Sequence, residues 1–216
     1  MRLLPIALAL CLSAGAAFAT PTNPQNGVEY TTLAAPLPTQ ASGKKVEVIE
    51  FFMYHCPVCN ALEPAFEEWV KKQGDNIVLR RVHMPYTGPA DPEAHLFLTL
   101  EALGKSEELA PKVFHARHVE HMKLSDDVIL DWAGKNGLDK ARFLETWNSF
   151  GVTTRLRGLS RVLDAYKIES VPTIVIDGKY VTSPGQLHQS GVAQEQMFEA
   201  TIQVADALVA KAAKAK

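Results

Sequence analysis

The stretch EFFMYHCPVCNALEP, residues 50–64, runs from an apolar segment through two closely spaced cysteines into a helical pattern. Few folds accept that order. Residues 46–54, VEVIEFFMY, are rich in β-branched and aromatic side chains and are apolar on both faces around Ile49 to Met53. They predict a buried central strand. Beyond the cysteines, Leu62, Phe66, Trp69 and Val70 fall on one stripe at helical spacing, and Gly74 supplies the stop. NIVLRRVHM, residues 76–84, reads as a second strand. The unit is βαβ, with a dithiol where strand meets helix.

Paired cysteines hold a metal, lock a fold or exchange electrons. With Cys56 at the helix N-terminus, Pro57 falls at the first helical position, where its missing N–H costs nothing. The free backbone N–H groups and the positive helix end favour an anionic sulfur. Cys56 is then the attacking thiolate, and Cys59, one turn on, resolves the mixed disulfide. A closed zinc site needs four ligands, and there is no second C-x-x-C. His55 and Met53 beside the pair keep a copper-binding carrier open as an alternative. An inert structural disulfide would gain little from closing so short a loop.

The N-terminus bears on compartment. Arg2 precedes the apolar run LLPIALALCL, which is too short to span a bilayer, and Ala17-Phe18-Ala19 is an A-x-A cleavage signal. Residues 1–19 are expected to be a signal peptide cleaved after Ala19, a retained anchor being the alternative. Leu10 before Cys11 speaks against a lipoprotein cysteine. Cleavage leaves two of the three cysteines, which excludes a scaffold of several disulfides. A net charge of −2 gives no broad electrostatic case for nucleic acid.

Residues 20–43 read as an extended arm with one short strand at VEYTTL, residues 28–33. From 87 to 158 the pattern is helical. Asp91-Pro92-Glu93 opens a helix, Gly104 stops it, Ser106 and Ser125 are expected N-caps, and helices follow at 139–150 and 152–166. The last carries Leu156, Leu159, Leu163 and Tyr166 on its apolar face. TIVIDGKYV reads as a hairpin turned at Asp177-Gly178, and residues 193–210 as an amphipathic helix with Met197, Thr201, Val204 and Leu208 in line. His115, His118 and His121 have helical spacing and read as a polar face rather than a metal stripe. His83, His95 and His188 show no constellation.

Two further residues stand out. Glu50 interrupts a buried strand, which is costly unless the acid is paired or protonated. Arg80 or Arg81 on the next strand would pair with it; a glutamate in water at a strand edge is the alternative. Pro172 read alone is an ordinary edge-strand proline, since X–Pro bonds are cis in only about 5–6% of cases. Beside a dithiol in this topology, Val171-Pro172 is expected to be cis.

VEYTTL, EFFMYHCPVCN, TWNSF at 146–150 and SVPTIVIDGKY together resemble the periplasmic thiol:disulfide interchange proteins of the DsbA type. The resemblance spans nearly the whole mature chain. It implies an α/β thioredoxin fold with an inserted all-helical subdomain: residues 44–86 as its first part, 87–158 as the insert, 159–216 as its second part. It implies Cys56 as nucleophile, Cys59 as resolving thiol, their redox-active disulfide in place of any cofactor, Val171-Pro172 as the cis-proline loop and Glu50 as a buried acid beneath the dithiol. Substrate contact would fall on His55, Pro57, Val58, Val171 and Pro172. The activity implied is dithiol oxidation of unfolded or reduced exported proteins by a monomer, with reoxidation by a DsbB-type quinone-linked protein of the inner membrane. An exported reductase or isomerase is the enzymatic alternative. One position departs: family members often carry His where this chain has Val58, which removes a donor and a cation from beside the sulfur.

Overall fold

The computed structural model describes residues 20–216, so the expected signal peptide and its cleavage site lie outside the described residues. Strand β1 is Thr31–Thr32, the short strand expected within the arm. β2, Val46–Phe52, is buried at every position. Val46 and Val48 pack with Leu62, Phe66 and Trp69 of helix α1, Pro57–Gln73. Ile49 and Phe51 join the other cluster, with Leu159, Leu163 and Tyr166. Cover on both faces is why this strand reads as one apolar run. Each such side chain removed from water contributes about 1.5–3 kcal/mol. β3, Ile77–His83, lies parallel to β2 and completes the βαβ unit.

Five helices follow: α2, Pro92–Ala102; α3, Ser106–His118; α4, Asp126–Lys135; α5, Lys140–Trp147; and α6, Phe150–Tyr166. Asp91 caps α2, its carboxylate accepting the Ala94 N–H at 2.8 Å. Ser106 is not a cap: Lys105 holds that position, and Ser106 is the first helical residue. Ser125 is the N-cap of α4, although its hydroxyl makes no capping bond. Ser149 caps α6 through the Val152 N–H at 3.3 Å, and α6 then runs unbroken through residue 158.

β4, Thr173–Ile176, and β5, Tyr180–Thr182, form the hairpin. Asp177 and Gly178 both have positive φ, 53° and 61°, as the turn requires. Gly178 is needed for a second reason: a Cβ there would run into the Leu37 carbonyl of the arm. A short helix missing from the sequence reading, α7, Pro184–Gln189, is capped by Ser183. The C-terminal helix α8, Met197–Ala213, buries Thr201, Val204 and Leu208.

The sheet order is β1-β5-β4-β2-β3, with only the β2–β3 pair parallel. β4 runs against β2, and Phe51 pairs with Thr173. The residues just before β4 therefore lie beyond the C-terminal end of β2, where the cysteines are. Topology alone brings Val171 and Pro172 to Cys56.

Candidate active site

Cys56 is the N-cap of α1 and Pro57 its first helical residue. The Cys56 sulfur accepts the Cys59 N–H at 3.4 Å. The two sulfurs are not bonded to each other, so the pair is in its dithiol form. The Cys56 thiol is lowered from 9.0 to about 6: the hydrogen bond from the Cys59 thiol does most, burial opposes it, and the Cys59 and Val58 N–H groups and the His55 charge add to the lowering. Cys59 is fully buried, and its thiol is pushed up, first by its bond to Cys56 and then by burial. One sulfur is ionised near neutral pH while the other keeps its proton. That difference suits the first sulfur to attack and the second to be held back.

Val171-Pro172 is cis, and the Cys56 Sγ lies 3.7 Å from the Val171 carbonyl oxygen. Pro172 is buried, Val171 half-buried, and Pro57 and Val58 exposed beside the sulfur. The residues before Cys56 are anchored. The Tyr54 N–H donates to His83 Nε2 at 3.1 Å, and the Tyr54 carbonyl accepts from His118 Nε2 at 2.8 Å. Burial lowers His83 to about 4, so its ring is neutral and free to accept. His55 Nδ1 lies 2.7 Å from Glu93 Oε2, and that bond raises the imidazole above its ordinary value.

Glu50 is fully buried, which removes the strand-edge alternative. Its register partner on β3 is Arg81, whose Nε lies 3.3 Å from Glu50 Oε2. Arg80 points to the other face, toward Tyr166. Arg81 also donates to Glu63 at 2.7 Å. Both Glu50 oxygens lack a hydrogen-bond partner among the described residues. Burial pushes Glu50 up to about 8; Arg81 opposes the rise and Glu63 adds to it. Its charge in turn raises Cys59.

The structure thus gathers Cys56, Cys59, Val171, Pro172, Pro57, Val58 and His55 around one sulfur, with Glu50 buried on β2. Sequence reasoning missed Glu93, Glu63, His83 and His118. The His115, His118 and His121 spacing resolves into separate roles: His115 pairs with Glu120 at the surface, His118 turns in to Tyr54, and His121 sits at positive φ. Among the described residues no group of three or more His, Cys, Asp and Glu is placed to hold a metal ion.

Residues 91–203 match the family described as the DSBA-like thioredoxin domain. The chain is 39% identical over 203 residues to a thiol:disulfide interchange protein DsbA of Burkholderia cepacia, a match covering 94% of this chain and 92% of the relative. A stretch that long takes in both Cys56 and Cys59. The crystal structure of Pseudomonas aeruginosa DsbA superposes with a TM-score of 0.77 at 34% identity, covering 88% of this chain and 94% of that one. A reduced DsbA1 from Neisseria meningitidis gives 0.70 at 26% identity, covering 89% and 98%.

Proposed function

This chain belongs to the DSBA-like thioredoxin family, and from that premise we propose that it oxidises unfolded or reduced proteins after export to the periplasm. It is a thiol:disulfide oxidoreductase that introduces disulfides, on a thioredoxin fold carrying inserted helices. In this reading residues 44–86 and 159–216 belong to the thioredoxin part and 87–158 to the insert, with α6 running across the second boundary.

The oxidised Cys56–Cys59 pair is the reagent. A substrate thiolate attacks the Cys56 sulfur, the Cys56–Cys59 bond breaks, and Cys59 takes the electron pair and then a proton. The second substrate thiolate attacks the first substrate sulfur and expels Cys56 as a thiolate. The substrate loses two electrons and the pair gains them, so no separate cofactor takes part. Glu50, neutral at physiological pH, is the group that supplies and retrieves the Cys59 proton. The Val171 carbonyl edge beside Cys56 offers a backbone partner to an extended substrate, with His55, Pro57, Val58 and Pro172 around it. Reoxidation falls to a DsbB-type quinone-linked protein of the inner membrane, and the chain acts as a monomer without nucleic acid.

One observation carries the oxidising direction: Cys56 caps α1 with its sulfur accepting the Cys59 N–H at 3.4 Å, a setting that lowers its thiol to about 6 and stabilises the reduced pair as a thiolate. The test mixes the oxidised protein with a reduced, unfolded two-cysteine polypeptide and separately equilibrates it in glutathione buffers. The substrate should be oxidised stoichiometrically. A potential near the roughly −270 mV of thioredoxin would overturn the reading.

A further inference from the structure

His55 is tied to the helical part of the chain by one carboxylate. Glu93 Oε2 accepts both the His55 N–H at 3.1 Å and the imidazole Nδ1 at 2.7 Å. The second oxygen, Oε1, lies 2.8 Å from Arg117 Nε. Arg117 is itself held by donating to the Met122 carbonyl. Glu93 is buried in the first turn of α2, and His55 keeps part of its ring at the surface, edge-on to Tyr86 at 5.1 Å. Pro57 and Val58 bring only carbon side chains to the sulfur. His55 is the neighbouring side chain able to bring charge.

We propose that Glu93 is a positioning residue for the exchange reaction: held by Arg117 through its other oxygen, it fixes the His55 imidazole from α2 beside Cys56, so that the charge of the ring acts on the thiolate. The inference rests on the dithiol-exchange reading above.

The groups facing His55 come from every element around it. Asp91 and Glu93 stand at the start of α2, Arg117 on α3, His83 on β3 and Cys56 on α1, while Lys123 lines the same pocket of about 330 Å³. His83 is neutral, so two carboxylates face two fixed cations and the His55 ring. The bond to Glu93 is the largest influence on His55 and raises it; burial works against it, and Arg117 lowers it slightly. The His55 charge favours the Cys56 thiolate. These are two ends of one coupling, and a coupling between two sites is reciprocal.

Reciprocity gives a test in the unaltered chain. The His55 titration is followed by nuclear magnetic resonance in the reduced protein, before and after Cys56 is capped with iodoacetamide, which leaves no charge. Capping should lower the His55 pKa. Glu93→Gln keeps an acceptor for both bonds and removes the charge. It should lower the His55 pKa, raise the Cys56 pKa read by thiolate absorbance, and shift the glutathione equilibrium toward the disulfide by about two- to fivefold, as one partly exposed ion pair allows. In a His55→Ala background the same change should move Cys56 no further. A merely structural fastener would leave all three readouts still. An unmoved His55 titration on capping, or an equal Cys56 shift with and without His55, overturns the proposal. Failure of the oxidase reading shows separately, as unaltered protein that does not oxidise the reduced polypeptide.

Discussion

Two ionic clusters differ in their exposure: in one Glu93 holds His55 and Arg117, and in the other Glu50 and Glu63 share Arg81. The first cluster has one carboxylate, one imidazole and one guanidinium, and both basic side chains keep about a quarter of their surface in water. The second has two carboxylates on one guanidinium, with Glu50, Glu63 and Arg81 at 0%, 5% and 5% exposure. Glu107 reaches Arg81 at 3.5 Å but is largely exposed, so it adds little screening inside. Desolvation decides what each cluster does. At the solvent edge charge is tolerated, and a charge on His55 favours the Cys56 thiolate. In the sealed cluster both carboxylates cannot stay ionised, and Glu50 becomes a site that stores a proton.

The largest test of that contrast removes each guanidinium. Arg81→Met leaves two buried carboxylates with no counter-ion. It should cost about 3–5 kcal/mol at neutral pH by urea unfolding, because an uncompensated buried charge remains. The deficit should shrink as the pH is lowered and the carboxylates take up protons. Arg117→Met should cost about 1 kcal/mol, as a partly exposed pair does. Equal costs would break the comparison.

A second test uses pH. Glu50 is raised from 4.5 in the ordinary state to about 8 in the fold. Between those values the folded protein holds a proton that the unfolded chain has released. Its contribution to stability is therefore full below 4.5 and lost as pH rises through about 8. One such group gives a slope approaching about 1.4 kcal/mol per pH unit. Glu50→Gln should remove that slope from the pH series of unfolding free energies. It should also remove an inflection near 8 from the rate of reoxidation. Superimposable profiles would make Glu50 a bystander.

Residues near one another in sequence were the legible ones. Pro57, the two cysteines and Gly74 mark the start and stop of α1 within a single stretch, and the apolar run of β2 declares its own burial. Pro172 became legible once a dithiol in a strand–helix turn stood beside it. Glu50 announced itself by its cost, but the choice between Arg80 and Arg81 needed the β2–β3 register. Glu63 carries no mark in the sequence of α1, because only the third dimension brings Arg81 to it. Glu93 lies 38 positions from His55 and read as a helix-opening acid, a role it also fills. His83 and His118 had no local pattern: what they bind is the Tyr54 backbone, and backbone partners leave no mark in a sequence. α7 is six residues long, too short for periodicity to show.

The smallest effect expected is at Val58, and it sharpens the comparison most. Val58 is 38% exposed and its backbone N–H already favours the Cys56 thiolate, so its side chain is free to change without disturbing the core. Val58→His places a second imidazole beside the sulfur. A hydrogen bond to a charged group contributes about 1.5–3 kcal/mol when well placed. For a two-electron couple about 30 mV corresponds to roughly 1.4 kcal/mol, so an isolated motif would gain about 30–60 mV. Here the bond from Glu93 already raises the His55 imidazole beside Cys56, which favours its charged form. A second imidazolium meets like-charge repulsion, and the gain should fall to the lower end, about 30 mV. Glutathione equilibria read the potential, and thiolate absorbance against pH should show Cys56 titrating lower. The same substitution in a Glu93→Gln background should recover the larger shift, since the competing charge is then weakened. If the two backgrounds respond alike, His55 and the new histidine do not sense each other, and the solvent-edge cluster does not act through the charge of its imidazole.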